Sequence, residues 1–169
     1  VAHTQLVHPD DLPRFAELGV VANFEPLWAQ QNRIMTELTE PRLGAERSAR
    51  QYPMASVLRS GATVGFGSDW PVSSMVPMEG LAVAVHRRTR AGAPSGGWLP
   101  AERLSLDEAL AAYTSGSAAV DPHGSGTITV GAPADLVVLE ADVTALAPDE
   151  LADVAVEGTW RAGEVTFRR

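Results

Sequence analysis

Apolar positions along this chain fall into two periods, and the change from one to the other divides it. Leu12, Phe15, Ala16 and Leu18 lie at helical spacing behind Pro9-Asp10-Asp11, which offers carboxylates to exposed first-turn amides, and Gly19 closes the run. Val20 to Phe24 is a short apolar strand, and Val1 to His3 reads as the stub of another. Strand, helix, strand in that order predicts a βαβ unit with parallel strands and a right-handed crossover. Glu25 to Glu46 has no clean period and carries Pro26, Trp28, Pro41 and Gly44, which predicts a long loop with one helical turn. A helix is predicted over Arg47 to Arg59 despite Pro53, and Gly61 leads into a third parallel strand, Ala62 to Gly67. Leu81 to Arg90 predicts a helix that buries Leu81, Ala82 and Val85 and places Arg87, Arg88 and Arg90 at its negative C-terminal pole. Ser105-Leu106-Asp107-Glu108 is a capping box opening a helix through Tyr113 to Gly116.

From Gly124 the pattern turns to strands: Thr127 to Val130, Asp135 to Glu140, Asp153 to Thr159, and Glu164 to Arg168 after the Ala162-Gly163 turn. The expected organisation is therefore α/β over residues 1–122 and a small antiparallel β segment over 123–169. Composition narrows the partners. At 169 residues and 45% hydrophobic, the chain can bury one core. It is short of the roughly 200 residues or more of a complete (β/α)8 barrel. A formal charge of -8 would repel nucleic acid and anionic membrane alike, leaving a small-molecule substrate as the expectation. The absence of cysteine excludes disulfides, thiolate nucleophiles and cysteine-based zinc sites. Every basic residue is arginine, so Schiff-base lysine chemistry is excluded too. No apolar run approaches the roughly 18 residues of a membrane span and no basic-then-apolar leader opens the chain, so the expected location is cytoplasmic.

Asp69 is the residue on which a functional reading turns. It ends the strand in Gly67-Ser68-Asp69-Trp70-Pro71, the end at which α/β folds collect ligands, and glycines at 65 and 67 leave room for close approach. The same residue would serve as a simple turn former before Trp-Pro. His3 ends the first strand stub, and Asn23 and Glu25 follow the second. If these strands are neighbours, His3, Glu25 and Asp69 share one rim, where imidazole and carboxylate suit Zn, Mn or Fe, although a stable site needs at least three protein ligands. Trp28 and Trp70 flank that rim as substrate walls or as ordinary packing. Ser68, Ser73 and Ser74 lack the G-x-S-x-G frame of a nucleophile. His86 reads as structural, His123 as a turn residue, and His8 as a remote substrate contact. Arg33, Arg42, Arg47 and Arg50 read as a solvated face.

Ala2-His3-Thr4-Gln5 with His8-Pro9-Asp10-Asp11, Asn23-Phe24-Glu25-Pro26-Leu27-Trp28, Gly67-Ser68-Asp69-Trp70-Pro71-Val72, Ala112-Tyr113-Thr114, and Gly124-Ser125-Gly126 through Gly131-Ala132-Pro133-Ala134-Asp135-Leu136 occur in one order. Together they resemble the C-terminal part of amidohydrolase family 3, metal-dependent hydrolases of C-N bonds that include N-substituted formamide deformylases. The resemblance implies the last three strands of a distorted (β/α)8 TIM-type barrel plus part of a small β-sandwich. It implies a divalent metal, zinc first, with His3 as a ligand and Asp69 as the metal-proximal carboxylate that takes the proton from attacking water. Glu25, which stands where relatives often have glutamine, Trp28, Ser68 and Trp70 would face an amide-type substrate. The family's His-x-His pair, bridging carboxylated lysine and further histidine have no counterpart here. Three readings follow: part of a C-N hydrolase, incomplete for catalysis alone; a half-barrel assembly module that pairs with itself or with a separate N-terminal chain; or a small metal-free hydrolase using Asp69.

Overall fold

A computed structural model describes residues 1–121 and 124–169; the boundary placed near residue 122 and the turn assigned to His123 lie outside the described residues. After a 3-10 turn at Pro9–Asp11, α1 (Leu12–Glu17) leads to β1 (Ala22–Phe24), then α2 (Glu40–Ser48), α3 (Met54–Arg59), β2 (Val64–Phe66), α4 (Pro77–His86) and α5 (Leu106–Ala111). β3 (Leu136–Leu139), β4 (Val156–Arg161) and β5 (Glu164–Arg168) complete the chain. The protein is α/β, with one parallel pair and one antiparallel sheet.

β1 and β2 run parallel, Ala22 opposite Val64 and Phe24 opposite Phe66. Both strands are almost wholly buried because helices and loops cover their faces, which is why they are written in continuous apolar residues. Val1 to His3 does not form a regular strand. Its one residue of ladder is nonetheless in place: the Val1 amino group donates to Val21 O (2.9 Å) and Asn23 N donates to Val1 O (2.8 Å). β1 therefore has this stub on one side and β2 on the other. The stub ends because His3 and Thr4 both turn to positive φ (65° and 43°).

Between the parallel strands the structure departs from the expected loop. A π-helical stretch at Met35–Thr39 runs directly into α2. Pro41 has no N–H to give to a helical ladder; it follows directly on the last i→i−5 bond of the π-helical stretch, Glu40 N to Met35 O, where the wider turn meets the first turn of α2. The predicted helix over residues 47–59 is two pieces, because Tyr52 takes positive φ (47°) and Pro53 restarts the chain as the N-cap of α3. α4 begins earlier than expected, at Pro77, and stops at Arg87, which adopts the left-handed conformation (φ 56°) usual for a C-terminal cap. The capping box at Ser105 and Glu108 is present in both directions. α5 passes into a π-helical stretch at Ala112–Gly116 that packs on β2, and a Cβ on Gly116 would lie 2.0 Å from Val64 O, so only glycine fits.

The core gathers Phe24, Met54, Val57, Leu81 and Trp98 with Val143, Leu151 and Val154 of the C-terminal segment. β3, β4 and β5 form a meander with Ala162 and Gly163, both at positive φ, in the hairpin turn. Residues 127–130 are not a strand; Ile128 and Val130 are fully in solvent. Among the described residues no helix is long and apolar enough to cross a membrane.

Candidate active site

Three chain segments bring three titratable side chains together. His3 follows the N-terminal stub, Glu25 follows β1, and Asp69 comes three residues after β2. His3 Nδ1 lies 3.1 Å from Glu25 Oε2, and His3 Nε2 lies 3.9 Å from Asp69 Oδ1. Parallel neighbours of equal length end at one level, so the first residues beyond them meet. Like His3, Asp69 holds positive φ (58°), a conformation that Asp and His adopt more readily than most residues and that is concentrated at functional sites.

The three differ sharply in exposure. The His3 side chain is 61% exposed and that of Asp69 25%, whereas Glu25 lies beneath them at 6%. Glu25 Oε1 accepts from Asn23 Nδ2 at 2.8 Å. Gly67 makes space for this pair: a Cβ there would approach Asn23 Nδ2 to 3.3 Å. Burial pushes the Glu25 carboxyl above its ordinary range; His3, through its ring and its backbone N–H, pulls it down, Asp69 pushes it further up and the Asn23 amide opposes.

A cavity of about 230 Å³ opens beside the pair, lined by His3 and Asp69 together with Trp28, Tyr52, Gln5 and Asn32. Trp28 forms one wall of this cavity. Ser68 and Trp70 are not part of this lining: Ser68 Oγ accepts from Trp70 N (3.2 Å), and Trp70 projects into solvent at 63% exposure. Tyr52 and Gln5 are additions that the sequence reading missed. Tyr52 falls within the helix predicted over residues 47–59, and only its place before Pro53 points to an irregular backbone. Among the other histidines, His8 caps the first 3-10 turn, its Nδ1 accepting from Asp10 N. His86 Nδ1 accepts from Arg88 N at 2.9 Å at the end of α4.

Arg87 stands behind this wall and is fully buried. Its Nε donates to Trp98 O (3.0 Å), Nη1 to Tyr52 O (3.1 Å) and Nη2 to Gln51 O (3.3 Å), and the guanidinium sits 5.0 Å over the Trp98 ring. Gln51 Oε1 in turn accepts from Gln5 Nε2, and Tyr52 N donates to Gln5 O, so the strap carrying His3 is tied to this buried cation. Burial lowers the Arg87 pKa to about 10, with Glu102 and Tyr52 acting against the shift.

As a metal site the arrangement is partial. His3 Nε2 and Asp69 are suitable donors, and Glu25 is turned to Asn23 and to the back of His3. Among the described residues no group of three or more His, Cys, Asp or Glu side chains is placed to hold a metal ion. A catalytic zinc takes at least three protein ligands, so these side chains fit such an ion only as part of its donor set.

The chain is 31% identical over 145 residues to Protein LONG AFTER FAR-RED 3 of Arabidopsis thaliana, covering 84% of this chain and 24% of that protein. It is 37% identical over 120 residues to the N-substituted formamide deformylase of Arthrobacter pascens, covering 70% of this chain and 22% of that one. The chain thus spans less than a quarter of the length of these relatives. Among solved structures, an uncharacterized metal-dependent hydrolase from Pyrococcus furiosus matches 70% of this chain and 23% of its own, with TM-score 0.56 and 30% identity. A zinc-bound adenosine deaminase from Xanthomonas campestris matches 99% of this chain and 36% of its own, with TM-score 0.66; at 20% identity it attests the fold alone. The sequence model of the Amidohydrolase family matches residues 1–167, and the chain belongs to that family.

Proposed function

We propose that the chain is the C-terminal part of a (β/α)8 barrel, with a β-sandwich segment after it, and serves hydrolysis of a C-N bond in a small amide-type substrate. The observation that carries this reading is the 3.9 Å approach of His3 Nε2 to Asp69 Oδ1 at the mouth of a cavity walled by Trp28. His3 and Asp69 supply part of a divalent-metal site, zinc being the first ion to test among those that imidazole and carboxylate suit, and donors outside these 169 residues complete it. Such an ion supplies Lewis-acid polarisation and a lowered water pKa. Asp69 accepts the proton from the attacking water as its oxygen bonds to the acyl carbon, then delivers that proton to the nitrogen as the C-N bond breaks. Trp28, which walls the cavity, contacts the substrate. N-substituted formamides are the first substrates to assay, by similarity to the Arthrobacter pascens relative.

The test uses the polypeptide in which the donor set is complete. Asp69→Asn is expected to lower hydrolysis about a thousandfold with the circular dichroism spectrum unchanged, and His3→Ala to lower metal content by elemental analysis. Full activity in both variants would overturn the assignment.

A second reading, a half-barrel assembly module, draws on the exposed apolar residues Leu136, Val137 and Val138 on β3 and Val165 and Phe167 on β5. Open strand edges and apolar faces invite pairing with a second copy or a complementing chain. Light scattering of the purified chain decides it: a monomeric mass at all concentrations removes self-pairing.

A further inference from the structure

Glu25 has one oxygen satisfied and one not. Oε1 accepts from Asn23 Nδ2, whereas Oε2 is buried and accepts from no other side chain, so that the carboxyl's remaining support comes from the His3 backbone N–H and ring. Leaving a carboxylate oxygen buried and unpaired is costly, and the group facing it is the ring nitrogen Nδ1 of His3, 3.1 Å away. A neutral imidazole carries its proton on one nitrogen or the other, so this contact is favourable in one tautomer and repulsive in its alternative.

We infer that Glu25 is a positioning residue that holds the His3 proton on Nδ1, leaving the Nε2 lone pair free on the side of Asp69 and the cavity. The inference rests on the proposed role of His3 and deepens it. Glu25 acts on the imidazole rather than on substrate, because it lies beneath His3 and does not line the cavity. The arrangement is that by which a carboxylate fixes ring orientation and tautomer of a ligating histidine. Asn23 belongs to the same device, since its amide occupies Oε1 and turns Oε2 toward the ring, and Gly67 leaves the room for it.

The test reads the ring directly in the 169-residue chain, with neither metal nor substrate added. Long-range proton–nitrogen NMR spectra of the chain labelled with 15N-histidine are recorded at alkaline pH, where an ordinary imidazole is neutral, and His3 is identified by its loss in His3→Gln. The wild-type ring is expected to be protonated on Nδ1. Glu25→Ala should move the tautomer ratio toward Nε2–H by about tenfold or more, the factor expected of a charge-assisted hydrogen bond. Glu25→Gln, whose carbonyl still accepts, should restore most of the wild-type ratio. A wild-type ring protonated on Nε2 would overturn the inference whatever the variants do, as would an unchanged ratio in folded Glu25→Ala. A purely structural role for Glu25 would alter stability and leave the tautomer where it was. Because the readout involves no turnover, its failure leaves the hydrolase assignment to the Asp69 experiment.

Discussion

Arg87 shows how much one residue can carry in this chain. The sequence places it with Arg88 and Arg90 at the negative C-terminal pole of a helix, but the left-handed cap turns its side chain inward while Arg90 stays in solvent. The guanidinium meets backbone carbonyls, and its fork spans three of them. Arg87→Met would leave the carbonyls of Gln51, Tyr52 and Trp98 without this donor. A loss of about 3 kcal/mol is expected from urea unfolding, and a variant within 0.5 kcal/mol of wild type, roughly the noise of surface substitutions, would show the buried contacts to be dispensable. His86, one residue earlier, titrates in the other sense from a paired histidine. Burial lowers its pKa, Arg88 and Arg103 add to the lowering, and Asp149 opposes it. Folded protein therefore binds fewer protons here than unfolded protein just below the ordinary histidine pKa. Stability should rise with pH through that window and fall on acidification. Protonation also removes the acceptor used by Arg88 N. His86→Gln should flatten this part of the stability–pH curve; an unaltered slope would assign it to other groups.

At the scale of elements, the helix that α4 forms illustrates packing winning over exposed polar interactions. Met78, Leu81, Ala82, Val83 and Ala84 are buried nearly all round, so the helix is held by the core on one side and by the turn at Leu151–Asp153 on another. Ion pairs from Arg88 to Asp149 and from Arg90 to Asp153 span the same junction. Both are at least partly in solvent and contribute little, about 0.5 kcal/mol each. Leu151, 1% exposed, is the effective anchor. Leu151→Ala is expected to cost about 3 kcal/mol. Because its neighbours belong to the core that holds Trp98, the loss should appear in the tryptophan fluorescence transition as well as in circular dichroism. If only circular dichroism shifts, the C-terminal segment unfolds on its own.

For the whole molecule, the decisive fact is that residues distant in sequence converge because parallel strands end together. Much of the fold was legible: β1, β2, the capping box, the α5 helix, and the β4–β5 hairpin at Ala162-Gly163 all follow from period and turn chemistry. The missed helix at residues 35–48 was hidden by Pro41 and Gly44, whose usual effect is to break a helix; here the π-helical stretch delivers Pro41 to a first turn and Gly44 takes a non-helical conformation within α2. Thr127 to Val130 reads as a strand because all four residues are β-branched, yet among the described residues no strand pairs with it, and it is irregular and exposed.

The candidate site divides in the same way. Asp69 was nameable from sequence because it follows a recognisable apolar run, and His3 because it stands in Ala2-His3-Thr4-Gln5, part of the family resemblance; chemical type and neighbouring residues are local information. That Glu25 lies under His3, that Tyr52 and Gln5 line the cavity, and that Arg87 supports them depend on side-chain direction and on backbone at positive φ, which only three-dimensional packing sets. Period and residue type determine which segments become helix or strand and which polar groups stand at their ends. Burial, and the need to pair every polar atom it takes from water, decides which of those groups meet.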